Sequence, residues 1–166
     1  TNPRQRAMDE QAKKTTLRMF TYGLHAVTAA HDGEVAAMTA NFITQSSFDP
    51  PLLAVAVENG SKTQRVIAAG GRFAVNVFAS DQRELAGQLG RKSANRPDKF
   101  DGVRWTPGPA TGAPVLDEAL AWVECEVRGS LPSGDHTVYV AEVVEAGVHR
   151  DGEPLTMAAA GFRHSG

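Results

Sequence analysis

Apolar positions recur along this chain at two periods. Met8, Ala12, Thr16, Met19 and Phe20 fall near helical spacing among good helix formers, predicting a helix over Ala7 to Phe20 with Gly23 as its C-cap. From Leu24 the period drops to two. Leu24 to Ala30 predicts a strand, Asp32-Gly33 a hairpin turn, and Glu34 to Ser47 the returning strand. Pro50 and Pro51 close it, because neither has an N–H to donate to a ladder. Leu52 to Val57 is short and almost wholly apolar, the pattern of a buried strand. Ser61 with Gln64 makes a capping box, and Gly70-Gly71 stops the helix after about two turns.

Arg72 to Phe78 predicts another strand, and Ser80 or Asp81 a cap for a second short helix, Gln82 to Leu89, ended by Gly90. Arg91 to Lys99 is basic and polar and reads as an exposed loop. Phe100 to Trp105 reads as a brief strand, and Thr106 to Pro114, rich in proline and glycine, as a loop. Ala121 to Leu131 alternates, with Ala121, Val123, Cys125 and Val127 on one face and Glu124, Glu126 and Arg128 on the other. Ser133-Gly134-Asp135 turns it, His136 to Val148 returns, and a last strand is expected around Leu155 to Met157. Six or seven antiparallel strands joined by hairpins, with three short helices, predict a mainly β (α+β) domain closed into a barrel. No strand-helix-strand unit carries G-x-G-x-x-G, and no P-loop is present, which argues against Rossmann and NTPase readings.

Bulk properties narrow this further. A chain of 166 residues is expected to be one domain, 1–166, with Thr1 to Arg6 frayed. With 42% hydrophobic and 22% charged residues it is expected to fold over most of its length. A net charge of -2 gives no general reason to expect nucleic acid or an anionic membrane as partner. No apolar run approaches the roughly 20 residues of a membrane helix, and no basic-then-apolar secretory signal opens the sequence, so a cytoplasmic setting is the default. The single cysteine, Cys125, excludes an intrachain disulfide and a cysteine-based zinc cluster.

Three places could carry chemistry. Ala37 to Pro51 presents Thr39, Ala40 and Asn41, then Thr44, Gln45, Ser46 and Ser47, short hydrogen-bonding groups with little bulk. Such a row suits backbone that approaches a flat polar ligand, and equally an exposed edge strand. Ser61-Lys62-Thr63 opens a helix, where free N–H groups and the dipole favour a phosphate; the alternative is that Ser61 only caps. His136 opens a strand after a Gly-Asp turn, either structurally or as a donor at a barrel rim, with Asp135 as turn-former. His25, His31, His149 and His164 have no metal-site spacing. No nucleophile with a base can be argued, so a bound cofactor would have to carry any redox chemistry.

Several segments in order resemble the flavin reductase-like, FMN-binding split β-barrel family. They are Tyr22-Gly23-Leu24, Val27-Thr28-Ala29, Met38-Thr39-Ala40-Asn41, Ser47-Phe48-Asp49-Pro50-Pro51 and Ser61-Lys62-Thr63. Gly71 to Val77, Lys99-Phe100, Gly112 to Leu116, Ala121 to Cys125 and Gly134-Asp135-His136-Thr137 continue the match. Thr44 to Phe48 and the ending His164-Ser165-Gly166 are similar to reductase modules of diflavin flavoproteins.

The resemblance implies a homodimer with FMN, in some members FAD, near the subunit interface. It implies that Thr39, Ala40, Asn41, Gln45, Ser46 and Ser47 border the ring and ribityl chain, that Ser61, Lys62 and Thr63 hold the phosphate, and that Phe100 stacks or covers. His136 would stand where members using NADH or NADPH place the nicotinamide. The expected function is NAD(P)H-dependent flavin reduction by hydride transfer, feeding a partner such as a two-component monooxygenase. The alternative is an FMN-binding electron carrier, suggested by the tail Met157 to Arg163, which lacks the family's His and aromatic residues before Gly161.

Overall fold

The computed structural model describes residues 7–91 and 98–162. The expected fraying of Thr1 to Arg6, most of the expected Arg91 to Lys99 loop, and the tail from Arg163 lie outside the described residues. In chain order the elements are α1 (Glu10–Arg18), β1 (His25–His31), β2 (Glu34–Ala40), β3 (Ile43–Ser47), β4 (Leu52–Glu58), α2 (Lys62–Gly70) and β5 (Arg72–Val77). Then come α3 (Arg83–Leu89), β6 (Trp105–Pro107), β7 (Pro114–Leu116), β8 (Ala121–Ser133), β9 (His136–Val148) and α4 (Met157–Ala160).

Seven strands form one antiparallel sheet in the order β2-β1-β5-β8-β9-β4-β3. Its two edge strands are consecutive in the chain, separated only by Asn41 and Phe42. The sheet must therefore curl until its edges nearly meet, which makes a split barrel with Asn41-Phe42 bridging the split. The expected single strand from Glu34 to Ser47 is thus two strands. Phe42 leaves β2 and gives its carbonyl to Ala56 N of β4 at 3.0 Å.

Both faces of β1 are covered. Val27 and Ala29 join Val55, Val57, Phe73, Val75 and Tyr139 in one core, while Leu24 and Ala26 join Phe78, Leu89, Leu116 and Leu155 in another. That two-sided burial is why β1 reads as small and β-branched residues rather than strict alternation. Buried Asn76 ties the short β6-β7 ribbon to the sheet: its Nδ2 donates to Pro114 O, and its Oδ1 accepts from Leu116 N at 2.9 Å.

Several local expectations are corrected. The brief strand is Trp105–Pro107, which keeps only the last residue of the predicted strand and runs into the predicted loop, because it pairs with Pro114–Leu116. The helix α3 is capped by neither Ser80 nor Asp81; Gln82 precedes it, its Oε1 accepting from Ala79 N at 2.8 Å. Gly23 is not a C-cap, since α1 ends at Met19 and Gly23 bridges to Thr156. The tail forms a short helix over Met157–Ala160 rather than a strand, with Thr156 accepting from Ala159 N. Strand β8 does not keep its simple alternation: register shifts at Glu124/Cys125 bury both residues. Glu124 is fully buried, and its carboxylate accepts from Ala110 N, Thr111 N and the Thr111 hydroxyl. It thereby holds the Gly108 to Ala113 loop.

Candidate functional site

The split is where a cavity of about 1330 Å³ opens, bounded by β2, the start of α2, α3 and the β8-β9 turn. Its position follows from chain economy at the split. The wall of β2 is Met38, Thr39 and Ala40, continued by Asn41 and Phe42. Asn41 is buried and its Nδ2 donates to Met157 Sδ at 3.3 Å, which ties the tail to the split. Phe42 lies between Tyr22 and His136, with ring centroids 5.6 and 5.5 Å away.

The end of the cavity is built by α2. The Ser61 hydroxyl accepts from Gln64 N at 3.1 Å and donates to Glu58 O at 2.8 Å, so it caps the helix. The reciprocal half of the expected capping box is absent, because the Gln64 amide donates instead to the Tyr139 hydroxyl at 3.2 Å. Lys62 and Thr63 both border the cavity, and Lys62 forms no ion pair among the described residues, although the Glu34 carboxylate feels its charge. Arg65 does have one: it grips Glu34 through contacts of 2.8 and 3.2 Å, and that pair holds the Glu34 carboxyl below its ordinary range.

Small residues keep the opposite side open. Ala86, Gly87 and Gly90 of α3 and its C-cap face the cavity, with Phe162 beyond Gly87. Gly90 ends α3 in right-handed conformation, so its role is space: a Cβ there would lie 3.3 Å from Thr39 Cβ.

His136 lines the cavity from the start of β9. Its Nδ1 is 2.6 Å from the Asp135 carboxylate. A carboxylate can only accept, so the proton sits on Nδ1 and Nε2 is left as the acceptor of the neutral ring. Asp135 forms the turn, as expected, and its carboxylate also contacts the His136 ring. The β8-β9 turn is fastened to the turn before α2 by Asn59, whose N–H donates to Asp135 O at 2.9 Å.

Of the predicted residues, Thr39, Ala40, Asn41, Ser61, Lys62, Thr63 and His136 converge on this one cavity. Gln45, Ser46 and Ser47 do not: they lie on β3, where Gln45 and Ser46 are exposed on the sheet edge and a register shift falls between Gln45 and Ser47. The first half of the Ala37 to Pro51 stretch thus lines a cavity, while the second half is sheet edge. Phe100 also stays away from the cavity. It packs against the second core, 5.8 Å from the Trp105 ring. Sequence reasoning missed Lys99, which is 8% exposed, lines the cavity and donates from Nζ to Ala37 O at 3.0 Å. Burial, then the Lys62 ammonium, lowers its pKa from the ordinary lysine value. In the sequence it was marked only as part of a basic, polar segment and, with Phe100, as one of the segments of the family resemblance.

A cationic helix end, a wall of small residues and a histidine rim thus meet at one cavity in the barrel split. The chain matches the family described as flavin reductase like domain over residues 17–166, and it belongs to that family. A high molecular weight rubredoxin of Moorella thermoacetica is 34% identical over 144 residues, 86% of this chain but 62% of that protein. The FMN reductase (NADH) SmoA of Agrobacterium fabrum is 32% identical over 149 residues, 90% of this chain and 82% of that one. The structure of the NADH:FAD oxidoreductase SgcE6 of Streptomyces globisporus, in complex with NAD and FAD fragments, matches with a TM-score of 0.81 at 30% identity. That match covers 93% of this chain and 90% of the other.

The residues present fit a flavin nucleotide. The cavity is roomy enough for a nucleotide-sized group. Its donor set suits a phosphate at one end, where Lys62 and free N–H groups of α2 meet, and a flat ring at the other, where small residues meet Phe42.

Proposed function

We propose that this protein is an NAD(P)H-dependent flavin reductase, acting on FMN or FAD and supplying reduced flavin or electrons to a partner such as a two-component monooxygenase. The observation that carries this reading is the convergence of the α2 N-terminus, the small-residue wall of β2 and His136 on one cavity. Bound flavin supplies the hydride-accepting and electron-donating chemistry that no side chain here offers. Lys62 and the first N–H groups of α2 hold the phosphate. Thr39, Ala40 and Asn41 admit the ring against backbone. His136, its tautomer set by Asp135, orients the nicotinamide through Nε2 and acts as neither nucleophile nor acid. Phe42 and Phe162 exclude water. The NADH-using relatives and the bound NAD and FAD fragments of the neighbouring structure support this assignment.

We further propose a cytoplasmic homodimer. Helix α1 buries none of its residues, and Met8, Met19 and Phe20 around it are 65%, 74% and 55% exposed, with Phe48 at 90% beside β3. A second subunit covering these would also enclose Gln45, Ser46 and Ser47. No helix among the described residues is long and apolar enough to cross a membrane.

One observation favours a second reading, an FMN-binding electron carrier. Before Gly161 the tail offers only Met157 and alanines, of which Met157 and Ala160 turn into the core. The two readings separate on anaerobic mixing of the flavin-loaded protein with each donor. Bleaching by NADH or NADPH at turnover rates establishes the reductase. Bleaching by dithionite alone establishes the carrier, and failure to bind any flavin removes both.

A further inference from the structure

Two ammonium groups face the cavity without an ion-pair partner among the described residues, although the Glu34 carboxylate held by Arg65 stands close enough to Lys62 to feel its charge. Lys62 stands at the start of α2, and Lys99 enters from the chain beyond α3. The charged and titratable groups around the cavity are Glu58, Lys62, Arg65, Arg91, Lys99 and His136. Arg65 is already engaged by Glu34. Glu58, the acidic residue of the wall, forms an ion pair with neither lysine. Lys99 is 8% exposed, yet among the described residues its ammonium makes one hydrogen bond, to Ala37 O. An ammonium has three N–H groups, so two have no partner among those residues. A buried ammonium without a counter-charge is costly, and two that repel one another are costlier. An anion in the cavity would relieve both costs.

Resting on the flavin reading above, we infer that Lys99 is a specificity residue that, with Lys62, selects a flavin ending in a phosphate monoester over one whose phosphates are diesters, FMN over FAD. A monoester carries about -1.5 to -2 at pH 7, with a second pKa near 6, and matches two ammonium groups. Each phosphate of a dinucleotide carries a single charge and must also leave room for the adenosine. Lysine suits this task because its ammonium is a compact charge with freely rotating donors.

The test is equilibrium binding to the apoprotein, read by quenching of flavin fluorescence, with FMN, FAD and riboflavin. Wild-type protein should bind FMN about tenfold or more tighter than FAD, the size of one charge-assisted contact. Lys99→Gln should lose about that factor for FMN, less for FAD and none for riboflavin, while Lys99→Arg retains most of it. Inorganic phosphate should compete with FMN in the wild type and less well in Lys99→Gln. Equal losses for all three flavins, or an unchanged ratio of FMN to FAD affinity, overturn the inference. A measurement on wild-type protein alone guards against a variant that fails to fold. From pH 7.5 to 5.0 the FMN preference should shrink as the monoester takes up a proton. His136 acts on both flavins and cancels in the ratio, so a flat ratio also overturns the inference. Flavins that bind without discrimination defeat only this inference; no binding of any flavin defeats the functional reading itself.

Discussion

The backbone N–H of Asn59 donates to the carbonyl of Asp135 at 2.9 Å, joining the turn that leads into α2 to the hairpin turn of β8 and β9. The Asn59 side chain doubles the joint, donating to Gly134 O at 3.3 Å and accepting from the Thr137 hydroxyl at 2.7 Å. Ser61 follows two residues after Asn59, and His136 is next to Asp135. This one junction therefore sets the distance between the two ends of the proposed site.

Asn59→Ala removes the two side-chain bonds while keeping the backbone one. Both groups are exposed, so the expected cost is modest, about 0.5–1.5 kcal/mol of stability. The larger expected effect is on function, with flavin affinity and nicotinamide-dependent reduction both reduced. Thermal unfolding and FMN titration of the same preparation check it; unchanged affinity at lowered stability would confine Asn59 to folding.

Lys62→Ala should weaken FMN binding by about 1–3 kcal/mol, as expected for a charge-assisted contact to phosphate. Riboflavin, which has no phosphate, should bind unchanged. Fluorescence titration with both flavins gives the answer directly.

For His136, two substitutions separate position from presence. His136→Ala should slow reduction by NADH or NADPH about tenfold or more while flavin stays bound, and Asp135→Asn should slow it less, since an amide carbonyl still accepts from Nδ1. Anaerobic stopped-flow reads both. Equal rates in wild type and His136→Ala would remove the residue from the donor site.

Stability should fall on mild acidification because of His25. Its ring is half-buried, with Nδ1 out of reach of water and lacking a hydrogen-bond partner among the described residues, and burial lowers its pKa from the ordinary 6.5. Above pH 6.5 folded and unfolded chains both hold it neutral. Below that, the unfolded chain takes up a proton that the folded protein refuses. The stability contributed by neutral His25 is then lost, by at most about 1.4 kcal/mol per pH unit, until the folded pKa is reached. Urea midpoints at pH 7.5, 6.0 and 5.0 should drop more steeply in wild type than in His25→Leu.

Gly108→Ala should destabilise the protein by about 1–3 kcal/mol through overpacking, because the new Cβ would lie 2.3 Å from the buried Glu124 carboxylate oxygen. Gly112→Ala, in the same loop but open around its Cβ, would cost only its left-handed φ of 74°. The difference between the two melting temperatures isolates the steric part.

Much of this was legible in one dimension. The hairpin at Asp32-Gly33 and the β8-β9 hairpin follow from alternation and turn chemistry, which act between near neighbours. The cap at Ser61 is equally local. The cavity-lining residues on β2 and at Ser61 to Thr63 could be singled out because each motif is short and contiguous.

What could not be read there are the relationships that arise only on closure. The chain shows no break between Ala40 and Ile43, yet two residues must cross from one sheet edge to the other once the barrel curls. Glu124 follows an alternating pattern that assigns it to solvent, but a bulge turns it inward to a loop that satisfies its carboxylate. Lys99 looks like one more polar loop residue until α3 brings its ammonium over β2. Local order along the chain determined the strands, turns and helix cap, because short-range hydrogen bonds and burial periodicity govern them. Which half of the Ala37 to Pro51 stretch faces a cavity, and which cations share it, was decided by sheet closure, because those contacts join residues far apart in sequence.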